Sequence, residues 1–286
     1  MNSIPTKQLY IGIGLAVLAT MIWSGNFIVA RGIADRIPPI SLAFYRWATA
    51  SLIMLPLAWK KFSAEKQVVL QNKGYIFWIA LSGITLFNTL VYFAGHYSPA
   101  INLALIGTTS SPVFSIVMAA IFLGEKITPL RIVGLLLCIA GIIYLIAQGS
   151  WERLMAFHFS DGDILILLAA LAFAIYNILV RRKPAGLSPI NFLFVVFTAG
   201  TLLIFPFFIW EIFNSAAVKW DMNMLLIIAY LGLGTSVISF LCWNAAISRL
   251  GAARTALFGN LIPIFATLEA VWFYMEIGRA SCRERV

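Results

Sequence analysis

Charge is what this chain has least of. Only 11% of its residues are Asp, Glu, Lys or Arg, and 62% are hydrophobic. Soluble domains carry roughly a quarter charged residues. A water-soluble core cannot hide that much apolar surface in 286 residues, so lipid must be the solvent. In lipid every backbone polar group has to be satisfied internally, which leaves helices or a closed barrel. Barrel strands alternate polar and apolar residues, whereas the apolar runs here are continuous and about 20 residues long, the length of a helix crossing a hydrocarbon core.

Other scarcities exclude chemistry. The three cysteines, Cys138, Cys242 and Cys282, have no metal or redox spacing; the two in apolar runs read as small packing residues. His96 and His158 are far apart and lack ligand-like companions, so no metal site is expected. No Ser/His/Asp set, glycine-rich phosphate loop or paired-carboxylate motif is visible, and neither catalytic residues nor a cofactor are expected. Acids (11) are fewer than bases (20), for a net charge of +9. The bases lie mostly between apolar runs and on one side, as the positive-inside rule requires, so no nucleic-acid partner is expected.

Nine apolar spans are present: Leu9–Ala30, Ile40–Trp59, Tyr75–Ala94, Pro99–Leu123, Ile127–Ala147, Asp163–Val180, Ile190–Trp210, Met224–Ala246 and Thr255–Met275. The first is too long, and too poor in a small-residue cleavage pattern, to be a signal peptide. The longest connections, Lys60–Gly74 and Gln148–Gly162, read as surface linkers. With the amino terminus cytoplasmic, twelve of the 20 basic residues fall in inner segments and four (Arg31, Arg36, Arg153 and Lys219) in outer loops. That bias sets the orientation. Tyr10, Trp59, Tyr75 and Trp210 sit at span ends as interface anchors.

The segment Ser111–Lys126 occurs twice. A shift of 151 carries Pro112 to Pro263, Glu125 to Glu276, Asn26 to Asn177, Arg31 to Arg182, Pro38 to Pro189 and Gly83 to Gly234. The repeated unit has five helices. An odd number of crossings makes the second copy enter from the opposite face, which is the inverted repeat of many secondary transporters. The expected fold is an all-α polytopic membrane protein. It divides into a cytoplasmic start (1–8), a first unit (9–147), an outer loop (148–162), a second unit (163–276) and a tail (277–286). By the same shift a tenth span would begin at Gly278. The polar, basic text after Glu276 is instead expected to be a non-native end on a truncated chain.

Trp23-Ser24-Gly25-Asn26-Phe27 in span one, Arg46 in span two, Pro-x-Phe in spans four and nine, and Leu123-Gly124-Glu125 together resemble the EamA-type exporters of the drug/metabolite transporter superfamily. The resemblance covers roughly residues 9–276; Tyr274-Met275-Glu276 departs from the Leu-Gly-Glu pattern. It implies a bacterial inner-membrane exporter of an amino-acid-like metabolite working by alternating access. It also implies a central cavity between helices one to four and six to nine, with helix five as an outer support. A nucleotide-sugar or sugar-phosphate carrier would need more cavity cations than Arg46. An intramembrane enzyme or a non-transporting subunit is the alternative from another class.

Ionisable groups in lipid are costly and usually face a cavity. Arg46 and Glu269 lie at matching depths, so the expectation is that they face each other or flank substrate. Glu269 is the one acid deep in a span and therefore the one candidate for coupling solute to protons. Trp23, Tyr92, Tyr176 and Trp243 are candidate stacking residues, and Asn26, Asn88, Asn177, Asn244 and Asn260 candidate polar contacts. Gly134 and Gly141 share a face and mark close helix packing. Expected partners are a small organic solute and the bilayer, with a homodimer left open.

Overall fold

A computed structural model describes residues 5–98, 100–124, 127–147, 160–215, 217–266 and 268–269. These form helices and no strand. In chain order they are α1 (Thr6–Gly32), α2 (Pro39–Gln71), α3 (Lys73–Tyr97), α4 (Ala100–Leu123), α5 (Pro129–Ala147), α6 (Asp161–Arg181), α7 (Pro189–Asn214), α8 (Met222–Leu250) and α9 (Ala252–Ala266). Six of them, α1, α2, α3, α6, α7 and α8, are long and apolar enough to cross a membrane. In α4, α5 and α9 the described apolar stretches are shorter, at Thr109–Leu123, Ile132–Gly141 and Ala252–Ala266. The fold is an all-α polytopic membrane protein. The proposed outer loop lies outside the described residues at 148–159, as does the tail 277–286.

Punctuation in the sequence sets the ends. Pro39 and Pro189 open α2 and α7, where a missing N–H costs nothing. Ser160 and Asp163 cap α6 reciprocally: Asp163 N donates to Ser160 Oγ (3.2 Å) and Ser160 N to Asp163 Oδ2 (3.0 Å). Asp221 caps α8 by accepting from Met224 N at 2.7 Å. That bond, with the Arg36 guanidinium beside it, holds the exposed Asp221 carboxyl below its usual range. Gly251, at φ 90°, makes the sharp turn between α8 and α9.

One correction concerns the linker expected at Lys60–Gly74. Residues 60–71 continue α2 as helix. The stretch KKFSAEKQVVLQ holds no glycine or proline to stop it.

Hydrogen bonds between helix ends establish the direction of each helix. On the face where α1 begins, Arg249 Nε at the end of α8 donates to Gln8 Oε1 (3.0 Å). There too Tyr75 OH at the start of α3 donates to Leu179 O at the end of α6 (2.7 Å). On the opposite face, Arg36 Nη2 pairs with Asp221 at 2.5 Å, and Ser98 Oγ at the end of α3 donates to Asp163 Oδ1 at the start of α6 (3.0 Å). Helix α6 therefore runs opposite to α1, and α8 opposite to α3. The bond made by Tyr75 corrects its reading as an interface anchor, since the ring is tucked between helices. Tyr10, Trp59 and Trp210 are each more than 60% exposed.

Helices α2 and α7 lie antiparallel against each other and cap each other at both faces. Neither has a side-chain cap of its own. At the start of α2, Glu211 from the last turn of α7 accepts from Ile40 N (3.1 Å), Ser41 N (2.5 Å) and Ser41 Oγ (2.8 Å). At the start of α7, Glu65 from the extension of α2 accepts from Ser188 N (2.9 Å), Ser188 Oγ (3.2 Å) and Asn191 Nδ2 (2.7 Å). Four N–H groups at each helix start lack intrahelical partners, and here the other repeat supplies the acceptor.

Both third helices of the repeat contain a widened π-type segment, Leu81–Leu86 in α3 and Tyr230–Ile238 in α8. Shifted by 151, the first falls inside the second. Close packing concentrates there. A Cβ on Gly83 would run into the Tyr176 ring, and one on Gly25 into the Tyr230 hydroxyl. Gly25 and Tyr176 occupy equivalent repeat positions, whereas the counterpart of Gly83 is Gly234, one helical turn from Tyr230. At Gly134 and Gly141, expected to mark close packing, an added Cβ would meet no heavy atom of another element within 4 Å among the described residues. Gly83→Ala is therefore expected to destabilise the protein by about 1–3 kcal/mol through overpacking. Gly134→Ala should leave thermal stability in detergent unchanged.

Candidate functional site

The residue that organises the interior is Arg46, only 1% exposed. Its Nε donates to Ser236 Oγ (2.7 Å). Its Nη1 donates to Asn26 Oδ1 (2.7 Å), Asn88 Oδ1 (2.7 Å) and Tyr92 OH (2.9 Å), and its Nη2 to Thr235 O (3.2 Å). The guanidinium carbon also sits 4.8 Å from the centre of the Trp47 ring. Five groups from α1, α3 and α8 thus converge on one side chain of α2. Thr235 and Ser236 belong to the widened segment of α8, where the carbonyls leave the regular ladder; such segments frequently mark functional sites. Thr235 O accepts from Trp23 Nε1 as well (2.7 Å).

Every hydrogen-bond partner of Arg46 is neutral. Among the described residues the one ion pair is Arg36–Asp221, so Arg46 and Glu269 make no salt bridge, although both lie near enough to Tyr230 to act on its hydroxyl. Glu269 Oε1 instead accepts from Ser24 Oγ at 2.6 Å, fastening the chain beyond α9 to α1. Arg46 is committed to polar groups on three other helices, which leaves it no freedom to reach Glu269 or the headgroups.

Beside the arginine lies a cavity of about 40 Å³. One wall is polar, made by Asn26, Arg46, Asn88 and Ser111; the other is aromatic, made by Trp23, Phe87, Phe173 and Trp243. Trp23 meets Phe173 edge-on at 5.6 Å and Trp243 at 4.9 Å, and Phe87 stacks on Phe173 at 4.6 Å. Gly107 of α4 and Gly259 of α9 thin the remaining wall. Asn88 Nδ2 is buried with no partner.

Of the residues singled out by sequence, Trp23, Asn26, Arg46, Asn88 and Trp243 line this cavity. Tyr92 stands behind it, holding Arg46 and donating to Asn26 Oδ1 at 3.2 Å. Asn177 likewise holds Trp243, accepting from its Nε1 at 2.9 Å. The last two bonds are equivalent under the shift of 151, with Tyr92 matching Trp243 and Asn26 matching Asn177. Arg46 has no such match: its counterpart is Phe197, fully buried among aromatic rings. The polar site is thus built into one repeat only. Tyr176 donates to Asn244 Oδ1 (2.9 Å) and packs on Gly83, away from the cavity. Asn244 lines a separate cavity. Asn260 is half-buried in a tight turn of α9, its Oδ1 unpartnered. Sequence reading missed Thr235, Ser236 and Phe173. Thr235 contributes a backbone carbonyl, which no side-chain pattern announces.

Known proteins resemble this arrangement along almost its whole length. An uncharacterised transporter of Bacillus subtilis is 26% identical over 259 residues, covering 89% of this chain and 84% of its own. A protein of Streptantibioticus cattleyicolor named "Probable terminal-alkyne amino-acid exporter" is 25% identical, covering 90% and 83%. An Escherichia coli protein named "Probable amino-acid metabolite efflux pump" is 24% identical, covering 90% and 84%. A crystal structure matches with a TM-score of 0.69 at 19% identity, covering 93% of this chain and 88% of that one; at that identity it speaks for the fold alone. The model of the EamA-like transporter family matches residues 10–147 and 160–277. Two matched halves and a cavity built between them make this chain a member of the EamA-like transporter family.

Proposed function

We propose that the protein is a secondary active exporter of a small amino-acid-like metabolite, working by alternating access in a bacterial inner membrane with its amino terminus in the cytoplasm. The observation that carries this reading is the buried Arg46 with neutral partners only. A buried charge without a counter-charge is costly, and a guanidinium matches a carboxylate in geometry and charge. Asn88 Nδ2, a buried donor without a partner, adds a second group suited to an anionic oxygen. The aromatic wall suits the apolar part of the same solute. A sugar phosphate would call for further cations, and Arg46 is the single cation among the described residues that line this cavity.

The cavity volume of about 40 Å³ is far below the roughly 300 Å³ of a typical solute pocket. Solute therefore enters by separation of helices, and the two widened segments give α3 and α8 matching places to bend. Glu269, hydrogen-bonded to Ser24 of α1, links the chain beyond α9 to the helix that carries Trp23 and Asn26. Protonation there would weaken its hold as an acceptor and release α1, coupling the gradient to opening.

Inside-out vesicles loaded with this protein should accumulate amino-acid-like solutes when a proton gradient is imposed. Glu269→Gln is expected to abolish the dependence on the gradient while sparing solute counterflow. Chemical conversion of solute without net flux would sink the transporter reading, and an unaltered gradient response in Glu269→Gln would sink the coupling role.

A further inference from the structure

A second cavity, of about 540 Å³, lies where α6 ends, α7 begins and α8 ends. It shares no lining residue with the central cavity; the neighbours Trp243 and Asn244 line the two separately. Its polar wall carries Arg181, Lys183 and Arg249, and its apolar wall includes Phe192 and Leu193. No acid lines it. The nearest carboxylate with an influence on Lys183 is Glu65, whose Oε2 is taken up by Ser188 and Asn191. Asn244 adds a buried amide nitrogen with no partner. Arg181 makes one long bond, to Ile247 O at 3.5 Å, so most of its donors are unused. Arg249 spends Nε on Gln8 and Nη1 on Ala245 O, and Nη2 remains. The solute reading for the central cavity uses none of these groups.

From this we infer that the cavity is a binding site for the headgroup of an anionic phospholipid from the leaflet on the amino-terminal face. Three cations suit a phosphodiester. The apolar wall suits the first carbons of an acyl chain. Helix ends that follow apolar runs place the cations at headgroup level, where basic pockets between membrane helices take up anionic lipid. The volume falls within the roughly 300–1,000 Å³ that bound ligands occupy. A soluble phosphate shares the headgroup chemistry but leaves the apolar wall uncovered.

The test is native mass spectrometry of the purified protein in detergent, titrated with phosphatidylglycerol or phosphatidylcholine. Wild type should retain one phosphatidylglycerol in preference to phosphatidylcholine. Arg181→Gln should weaken that binding roughly five-fold, and the double variant Arg181→Gln/Arg249→Gln roughly twenty-five-fold, at about a factor of five per cation. Arg181 is the safer single change because it has only the one long bond. Lys60→Gln/Lys66→Gln, an exposed pair on the extension of α2, removes the same charge and should leave binding unchanged. Millimolar inorganic phosphate should fail to displace the lipid. Equal retention of the two lipids, or equal weakening in the control pair, would overturn the site. Displacement by phosphate alone would overturn the lipid as its occupant. Binding is read without any flux measurement, so the result stands apart from the transport reading.

Discussion

Arg46→Gln is expected to lower solute flux in proteoliposomes by roughly a hundredfold or more, because a hydrogen bond to a charged group is worth about 1.5–3 kcal/mol and the solute carboxylate would lose both charge and donors. Arg46→Lys is expected to rescue little. An ammonium keeps the charge but cannot span Ser236, Asn26, Asn88, Tyr92 and Thr235 at once, as the guanidinium does through Nε, Nη1 and Nη2. Loss of the arginine also leaves its acceptors unserved, so elution behaviour and thermal stability must be measured alongside flux. Tyr92→Phe separates the two contributions. It removes one donor to Asn26 and one acceptor for Arg46 without touching the charge, and should cost flux far less. Retention of near-normal flux by Arg46→Gln would remove the carboxylate role and with it the main support for an amino-acid-like solute.

Glu211→Ala should be the most damaging substitution for stability outside the cavity. The carboxylate is 4% exposed and accepts three bonds at the start of α2. Each buried donor left without a partner costs about 1–3 kcal/mol, and two of the three are backbone N–H groups that cannot rotate away. A drop in melting temperature on the order of 5 °C or more follows for a chain of this size. Glu211→Gln should fall between, since an amide keeps one acceptor oxygen but turns its nitrogen toward donors. Glu65→Ala, at the more exposed matching position, should cost less. Equal melting temperatures for Glu211→Ala and wild type would show that the reciprocal caps contribute nothing.

These caps tie the two repeats together at both faces. Helices α2 and α7 hold each other at both faces through Glu211 and Glu65. The contacts made by α3 and α8 depend on glycine–tyrosine packing and a few hydrogen bonds. Arg46 stands on α2 and reaches its partners on α1, α3 and α8, so separating α2 from those helices breaks or lengthens bonds to that one side chain.

Much of this was legible before any coordinates. The all-α membrane character follows from apolar length, because the hydrocarbon core admits helices of that length, and six of the nine expected spans are described as helices long and apolar enough to cross. The repeat follows from the shift of 151, and it proved true of tertiary contacts too: Tyr92–Asn26 and Trp243–Asn177 are the same bond made twice. Arg46 was legible because a cation in an apolar run has no bland place to go. What failed, failed for physical reasons. The extension of α2 over residues 60–71 was read as a linker because it is polar, though polarity ends a membrane span and does not end a helix. Gly134 and Gly141 were read as a packing face because spacing tells which residues share a face but not what lies opposite.

The sequence by itself determined the solvent, the helices, the duplication and the identity of the buried charge. These depend on composition and on periodicity along one chain. Only the tertiary structure decided which groups that charge meets. Depth placed Arg46 and Glu269 at one level of the bilayer, but depth is one coordinate and a hydrogen bond needs three. The partners turned out to be a serine, two asparagines, a tyrosine and a backbone carbonyl, drawn from residues up to 190 positions away. Long-range approach of that kind is set by how whole helices pack, and no local pattern encodes it.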